Sequence, residues 1–180
     1  MTFDKLIVDE LLQILSQDYV NGRFVPILEA DIVGYLYHLW ISKFGDARKI
    51  HLGTRICSAP NQKFDFVIGE VEYSAKRPCI GKPELIIEVK SFPIGFTNPQ
   101  YRVRYSNVMK DDIPKLANLK EPSDNRYILL FDEVNYLERF DTISKTPKLN
   151  RIIQIRDKLD PKIKIIHVKR VGKHLEWKQL

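Results

Sequence analysis

The chain has 180 residues, 44% of them hydrophobic, enough to bury a core as one globular domain over 1–180. Lys and Arg number 29 against 23 Asp and Glu, a net charge of +6, which permits a polyanionic partner without requiring one. Cys57 and Cys79 form no CxxC pair, so neither a zinc site nor a disulfide framework is expected, and a reduced, cytoplasmic setting is the default.

From Asp4 to about Tyr19, apolar residues recur at helical spacing (Leu6, Ile7, Leu11, Leu12, Ile14, Leu15) with acids among them. This predicts an amphipathic helix rather than a signal peptide, ended by Asn21-Gly22. Pro26 suits the first turn of a second helix, ILEADIVGYLYHLWISKF, running to Gly45 and apolar nearly all round, hence buried. Three strand-like runs follow: IHLGTRIC, KFDFVIGEVEY and PELIIEVKSF. The link EYSAKRPCIGK (Glu72 to Lys82) is long and basic; it reads either as a nucleic-acid contact or as a plain hairpin tip. Asn107 to Lys120 predicts a helix with Pro114 near its start, and RYILLFDE a buried strand. Leu149 to Leu159 predicts a helix and IKIIHVKR a last strand, with HLEWKQL as a partner for it. The order α-α-β-β-β-α-β-α-β predicts an α/β fold, a central mixed sheet flanked by helices. No apolar run approaches membrane-spanning length.

The strand PELIIEVKSF carries an oddity. Alternation sets Leu85, Ile87 and Val89 on one face and Ile86, Glu88 and Lys90 on the other. Burying that carboxylate and ammonium costs on the order of several kcal/mol unless they pair with each other or hold something. In KFDFVIG, alternation puts Phe64, Phe66 and Ile68 on one face and Asp65 and Val67 on the other. If the two strands run antiparallel, Asp65 approaches Glu88, and a divalent cation relieves their repulsion. Glu29 shares a helical stripe with Val33, Leu36 and Trp40; it is a third candidate acid or an acid favoured by the helix dipole.

Glu29 in a leading helix, Asp65 in a strand and Glu88-Val89-Lys90 at the end of the next, then a helix and a strand, resemble the PD-(D/E)xK nuclease superfamily. The resemblance covers roughly residues 26–133; Phe64 stands where the motif's name has proline. It implies a restriction-endonuclease-like core, with the first helix and the basic C-terminal α/β segment as extensions. It further implies Mg²⁺, replaceable by Mn²⁺, on Asp65, Glu88 and the Val89 carbonyl, with no organic cofactor. Lys90 would orient or help deprotonate water, and Glu29 would hold a metal-bound water or assist a second ion. The implied activity is metal-dependent endonucleolytic hydrolysis of DNA, and a homodimer follows if both strands are cut.

Bases dominate from Lys76 to Lys120, with Lys76, Arg77, Lys82, Arg102, Arg104 and Lys115 as candidate nucleic-acid contacts; a solvated face is the other reading. Tyr101, Arg102, Arg104 and Tyr105 interleave rings and bases, as a nucleic-acid surface or a surface loop. Asp132 and Glu133 read as turn or cap acids, Asp111 and Asp112 as helix-start acids, and the four histidines as structural or surface residues. Two alternatives stand beside the endonuclease: a non-catalytic basic nucleic-acid-binding or structural module of the same fold, and a branched-DNA junction resolvase.

Overall fold

The computed structural model describes residues 6–45, 49–73, 77–120 and 124–180, with backbone alone at 8 and 9. A π-helical turn, Leu6–Leu11, leads into α1 (Leu12–Val20). Helix α2 (Glu29–Phe44) starts three residues beyond Pro26, because Asp31 turns back to accept the Ile27 and Leu28 N–H groups at 2.8 and 2.7 Å. It stops at Gly45, whose φ of 67° is left-handed. The helix buries one stripe (Ile32, Val33, Leu36, Leu39, Trp40) and leaves Asp31, Gly34 and His38 exposed, so the all-round burial expected for it is corrected.

Strands β1 (Ile50–Ile56), β2 (Ala59–Glu72) and β3 (Cys79–Phe92) follow. The long basic link between the second and third runs is shorter than expected: Cys79 to Lys82 already lie in β3, pairing with β2. Gly69 marks a register shift in that pairing, where a Cβ would stand 2.8 Å from the Lys82 carbonyl oxygen and 2.6 Å from Ile80. The expectation of no disulfide is also corrected, because Cys57 and Cys79 are bonded. Parallel pairing of Ile56 with Ile80 brings the end of β1 to the start of β3, and the two Cα atoms lie 5.1 Å apart.

Helical structure begins at α3 (Asn98–Asn107), well before the expected Asn107, so the segment bearing Arg102 and Arg104 is no loop. A π-helical turn (Val108–Asp112) joins it to α4 (Ile113–Ala117). Pro114 lacks an N–H and crowds the carbonyl four residues back, and the wider turn accommodates both. Then come β4 (Arg126–Asp132), the short pair β5 (Phe140–Asp141) and β6 (Thr146–Pro147), α5 (Lys148–Leu159), β7 (Lys164–Val171) and β8 (His174–Gln179).

Six strands form one mixed sheet in the order β1-β2-β3-β4-β7-β8. Strands β3, β4 and β7 run parallel, and the flanking pairs are antiparallel. All seven residues of the central β4 are buried, as a strand covered on both faces requires. Alternation divides the core: Leu85, Ile87, Val89, Leu129 and Phe131 face α1 and α2, whereas Ile86, Phe92, Ile128 and Leu130 face α3, α4 and α5. Each such side chain contributes about 1.5–3 kcal/mol when fully buried. The fold is thus the expected α/β one, a central mixed sheet between helices. No helix among the described residues is long and apolar enough to cross a membrane.

Candidate active site where two strands part

The β2–β3 ladder ends at Phe66↔Ile87. Past it Phe64 packs in the second core with Val67 rather than on the Phe66 face, which corrects the strict alternation expected there. The side changes where β2 is no longer held by β3. Asp65 spans the gap instead of a backbone carbonyl: its Oδ2 accepts the Val89 N–H at 2.8 Å. A strand residue's N–H and C=O leave the same edge, so the Val89 carbonyl also opens toward this gap.

Glu88 points to the face covered by α3, α4 and α5 and is only 3% exposed. Its Oε2 accepts from Lys115 Nζ on α4 at 2.6 Å, and its buried Oε1 has no hydrogen-bond partner among the described residues. Burial first, and the Asp65 charge second, push the Glu88 carboxyl up to about 8, with Lys115 opposing. Lys90, two residues on, does not pair with Glu88. Its Nζ lies 3.2 Å from Asp112 Oδ2 and 3.6 Å from Glu29 Oε2. Burial disfavours the ammonium, but the carboxylates of Asp112 and Glu29 outweigh it and raise the Lys90 pKa. Burial also raises the Asp112 carboxyl, against Lys90 and Lys115. Glu29, at the first position of α2, further accepts from Arg104 and from the Ser91 N–H at 3.4 Å.

The four residues expected to form the centre therefore surround one region, with Asp65 and Glu88 on one side of it and Lys90 and Glu29 on the other. Lys115, expected on nucleic acid, points its side chain inward instead, to Glu88, to the Lys63 carbonyl at 2.9 Å and to the Phe64 ring. Asp112, expected as a helix-start acid, is a buried partner of Lys90. Its three-residue spacing from Lys115, which puts both on one helix face, was the available signal. Arg104 is likewise engaged, by Glu29 and over the Phe96 ring at 4.7 Å. Arg77, Lys82 and Arg102 are exposed, and Lys76 lies outside the described residues. Arg77 and Lys82 sit at the far end of β3 from Lys90.

A cleft of about 520 Å³ lies on the Glu29 and Lys90 side of the site, walled further by Phe96, Gln100, Val103 and Arg104; Asp65 and Glu88 do not line it. The rival acids are structural: Asp132 accepts the Tyr136 and Leu137 N–H groups at 2.8 Å each, and Glu133 accepts from the Tyr19 hydroxyl at 2.7 Å. Among the described residues no group of three or more His, Cys, Asp or Glu side chains could hold a metal ion by itself.

No family model matches the chain, and no curated protein matches it. Among solved structures, that of Pyrococcus furiosus SfsA in complex with Ca²⁺ is similar at 15% identity and a TM-score of 0.35, over 83% of this chain. The chain spans 63% of that protein's length. A likeness at that level carries no argument about activity.

Proposed function

We propose that the chain is a metal-dependent nuclease that hydrolyses DNA phosphodiesters at the gap between β2 and β3. The observation that carries this reading is Glu88: a buried carboxylate beside Asp65, with a raised proton affinity and one oxygen lacking a hydrogen bond among the described residues. Such a group calls for a cation. Mg²⁺ prefers oxygen ligands and keeps several waters, so it needs only one or two protein carboxylates. Asp65, Glu88 and the Val89 carbonyl fit that donor set, with Mn²⁺ as substitute. When bound, the ion would neutralise phosphate charge and make water a better nucleophile.

The chain's own residues divide the remaining work. Lys90, held protonated by Asp112 and Glu29, acts as a fixed cation and hydrogen-bond donor for the phosphate and the attacking water, not as a base. Glu29 positions Lys90 and Arg104 at the cleft mouth rather than standing free for a second ion.

Plasmid and linear DNA incubated with the protein in Mg²⁺ or Mn²⁺ should be cut, and Asp65→Ala and Lys90→Ala should lower the rate by on the order of a hundredfold or more. Mn²⁺ should raise the wild-type melting temperature and not that of Asp65→Ala. Equal cutting by the variants would refute the assignment. A second reading has its own observation: Lys115 on Glu88 and Lys90 on Asp112 balance the acids without any metal. A non-catalytic nucleic-acid-binding module then predicts salt-sensitive binding, no Mn²⁺ stabilisation and no cleavage.

A further inference from the structure

Helix α3 has a second cleft, of about 520 Å³, on the side away from Lys90. Pro99, Gln100, Val103 and Arg104 line the first cleft, whereas Asn98, Arg102 and Tyr105 line the second, which is the opposite stripe of the same helix. Its other wall comes from the connection carrying Arg139 to Ile143 and from Lys148 and Arg151 of α5.

The charges in this cleft do not balance. Asp141 lines it, but its oxygens are already used by the Tyr105 hydroxyl at 2.7 Å, Arg151 at 3.0 Å and the Ile143 N–H at 2.8 Å. Arg102, Arg139 and Lys148 have no carboxylate in ion-pair contact among the described residues. Lys148 donates to the Phe140 carbonyl at 2.9 Å and Arg139 to the Val134 carbonyl at 3.3 Å. Both also stand over the Tyr136 ring, at 4.9 and 5.4 Å. Burial lowers the Lys148 pKa, and the repulsion of Arg139 and Arg102 adds to it against Asp141. An anion would relieve all three cations together.

The aromatic floor narrows the ligand further. Tyr136 is stacked by Phe92 at 5.6 Å and Tyr101 at 5.1 Å and capped by the two cations, so it offers no face to a base. The lip differs: Phe140 is 58% exposed. We propose that this cleft is a phosphate subsite for single-stranded nucleic acid, with Arg102, Arg139 and Lys148 on one backbone phosphate and the Phe140 ring under an adjacent base. Two clefts flank a helix about 10–12 Å across, a span suited to a chain rather than to one nucleotide. The inference deepens the nuclease reading and rests on it only for the nature of the polymer.

The test is anisotropy of labelled single-stranded and duplex oligonucleotides in EDTA, where metal-dependent cleavage cannot intervene. Adenosine monophosphate and inorganic phosphate serve as competitors. Arg102→Glu/Arg139→Glu should weaken single-strand binding about tenfold or more relative to Lys158→Glu/Lys173→Glu, an equal charge change on exposed residues elsewhere. Phe140→Ala should weaken it about fivefold or more and affect the duplex less. Matched melting curves show that each variant is folded. Equal binding by the two charge reversals overturns the proposal, as does a duplex loss matching the single-strand loss in Phe140→Ala. Competition by adenosine monophosphate or phosphate as effective as that by unlabelled oligonucleotide overturns it too, by assigning the cleft to a small anion. If the wild type cuts nothing yet binding responds as expected, the nuclease reading fails and the subsite stands. If cutting persists and binding does not respond, the subsite alone fails.

Discussion

Glu88 faces Asp65 across the strand gap, Lys115 from α4 and Asp112 from the turn before it. Its carboxyl rises from 4.5 to about 8 on folding, so the folded chain holds the extra proton between those values. This group therefore favours the folded state below pH 4.5, and that advantage is lost as pH rises through 8. In EDTA, Glu88→Gln should raise stability on the order of 1–3 kcal/mol at pH 9 and little at pH 4.5, measured by urea unfolding at both. Lys115→Met should do the opposite, costing about 3–5 kcal/mol at pH 9, because it leaves a buried charge without its cation. The same variant separates the two functional readings. If a divalent ion shares Glu88, removing the competing ammonium shifts the Mn²⁺ thermal-shift midpoint to lower concentration; a purely structural network gives no Mn²⁺ response in either protein. The sequence disclosed Asp65, Glu88 and Lys90 because acids and a lysine inside apolar strands are conspicuous. It showed Asp112 and Lys115 less plainly: their three-residue spacing sets them on one helix face, but charged residues near a helix start usually face water, and tertiary packing decides which way that face turns.

At the scale of elements, the cystine joins the end of β1 to the start of β3 across 22 positions. Loop-closure entropy for that length amounts to about 3 kcal/mol. Reduction, or Cys57→Ser with Cys79→Ser, should lower the unfolding free energy by roughly that amount, read from denaturant midpoints with and without reductant. Spacing alone could not show this pair, since the strand curvature that brings Ile56 beside Ile80 is a tertiary property. The strands of the central sheet were legible, because runs such as RYILLFD have no reading but burial on both faces. Helix α3 was less so, its stretch being polar and arginine-rich. A local sign existed: Gln100 accepts the Thr97 N–H at 2.7 Å, with Pro99 in the first turn, a helix start written in four residues. Beyond Asn107 the helix expected across Pro114 is present, because a π-helical turn accommodates the proline.

For the molecule as a whole, the sheet's length separates charges that the sequence presents together. Residues 76 to 120 read as one basic stretch, yet Arg77 and Lys82 lie at the start of β3, and Lys90 is eleven residues past Cys79. At about 3.3 Å per residue Lys82, eight residues before Lys90, lies roughly 26 Å from it, well beyond a Debye length near 8–10 Å. Lys90, Lys115 and Arg104 are meanwhile committed to Asp112, Glu88 and Glu29, so they release few counterions when a polyanion binds. Net charge therefore overstates the electrostatic footprint, and the footprint should be local to α3. With DNA bound in EDTA, the slope of log K against log salt should stay within about 0.3 of wild type in Arg77→Met/Lys82→Met. Arg102→Met should reduce its magnitude by close to one. Loss of slope in the first variant and none in the second would move the nucleic-acid path to the far end of the sheet, away from Asp65 and Glu88.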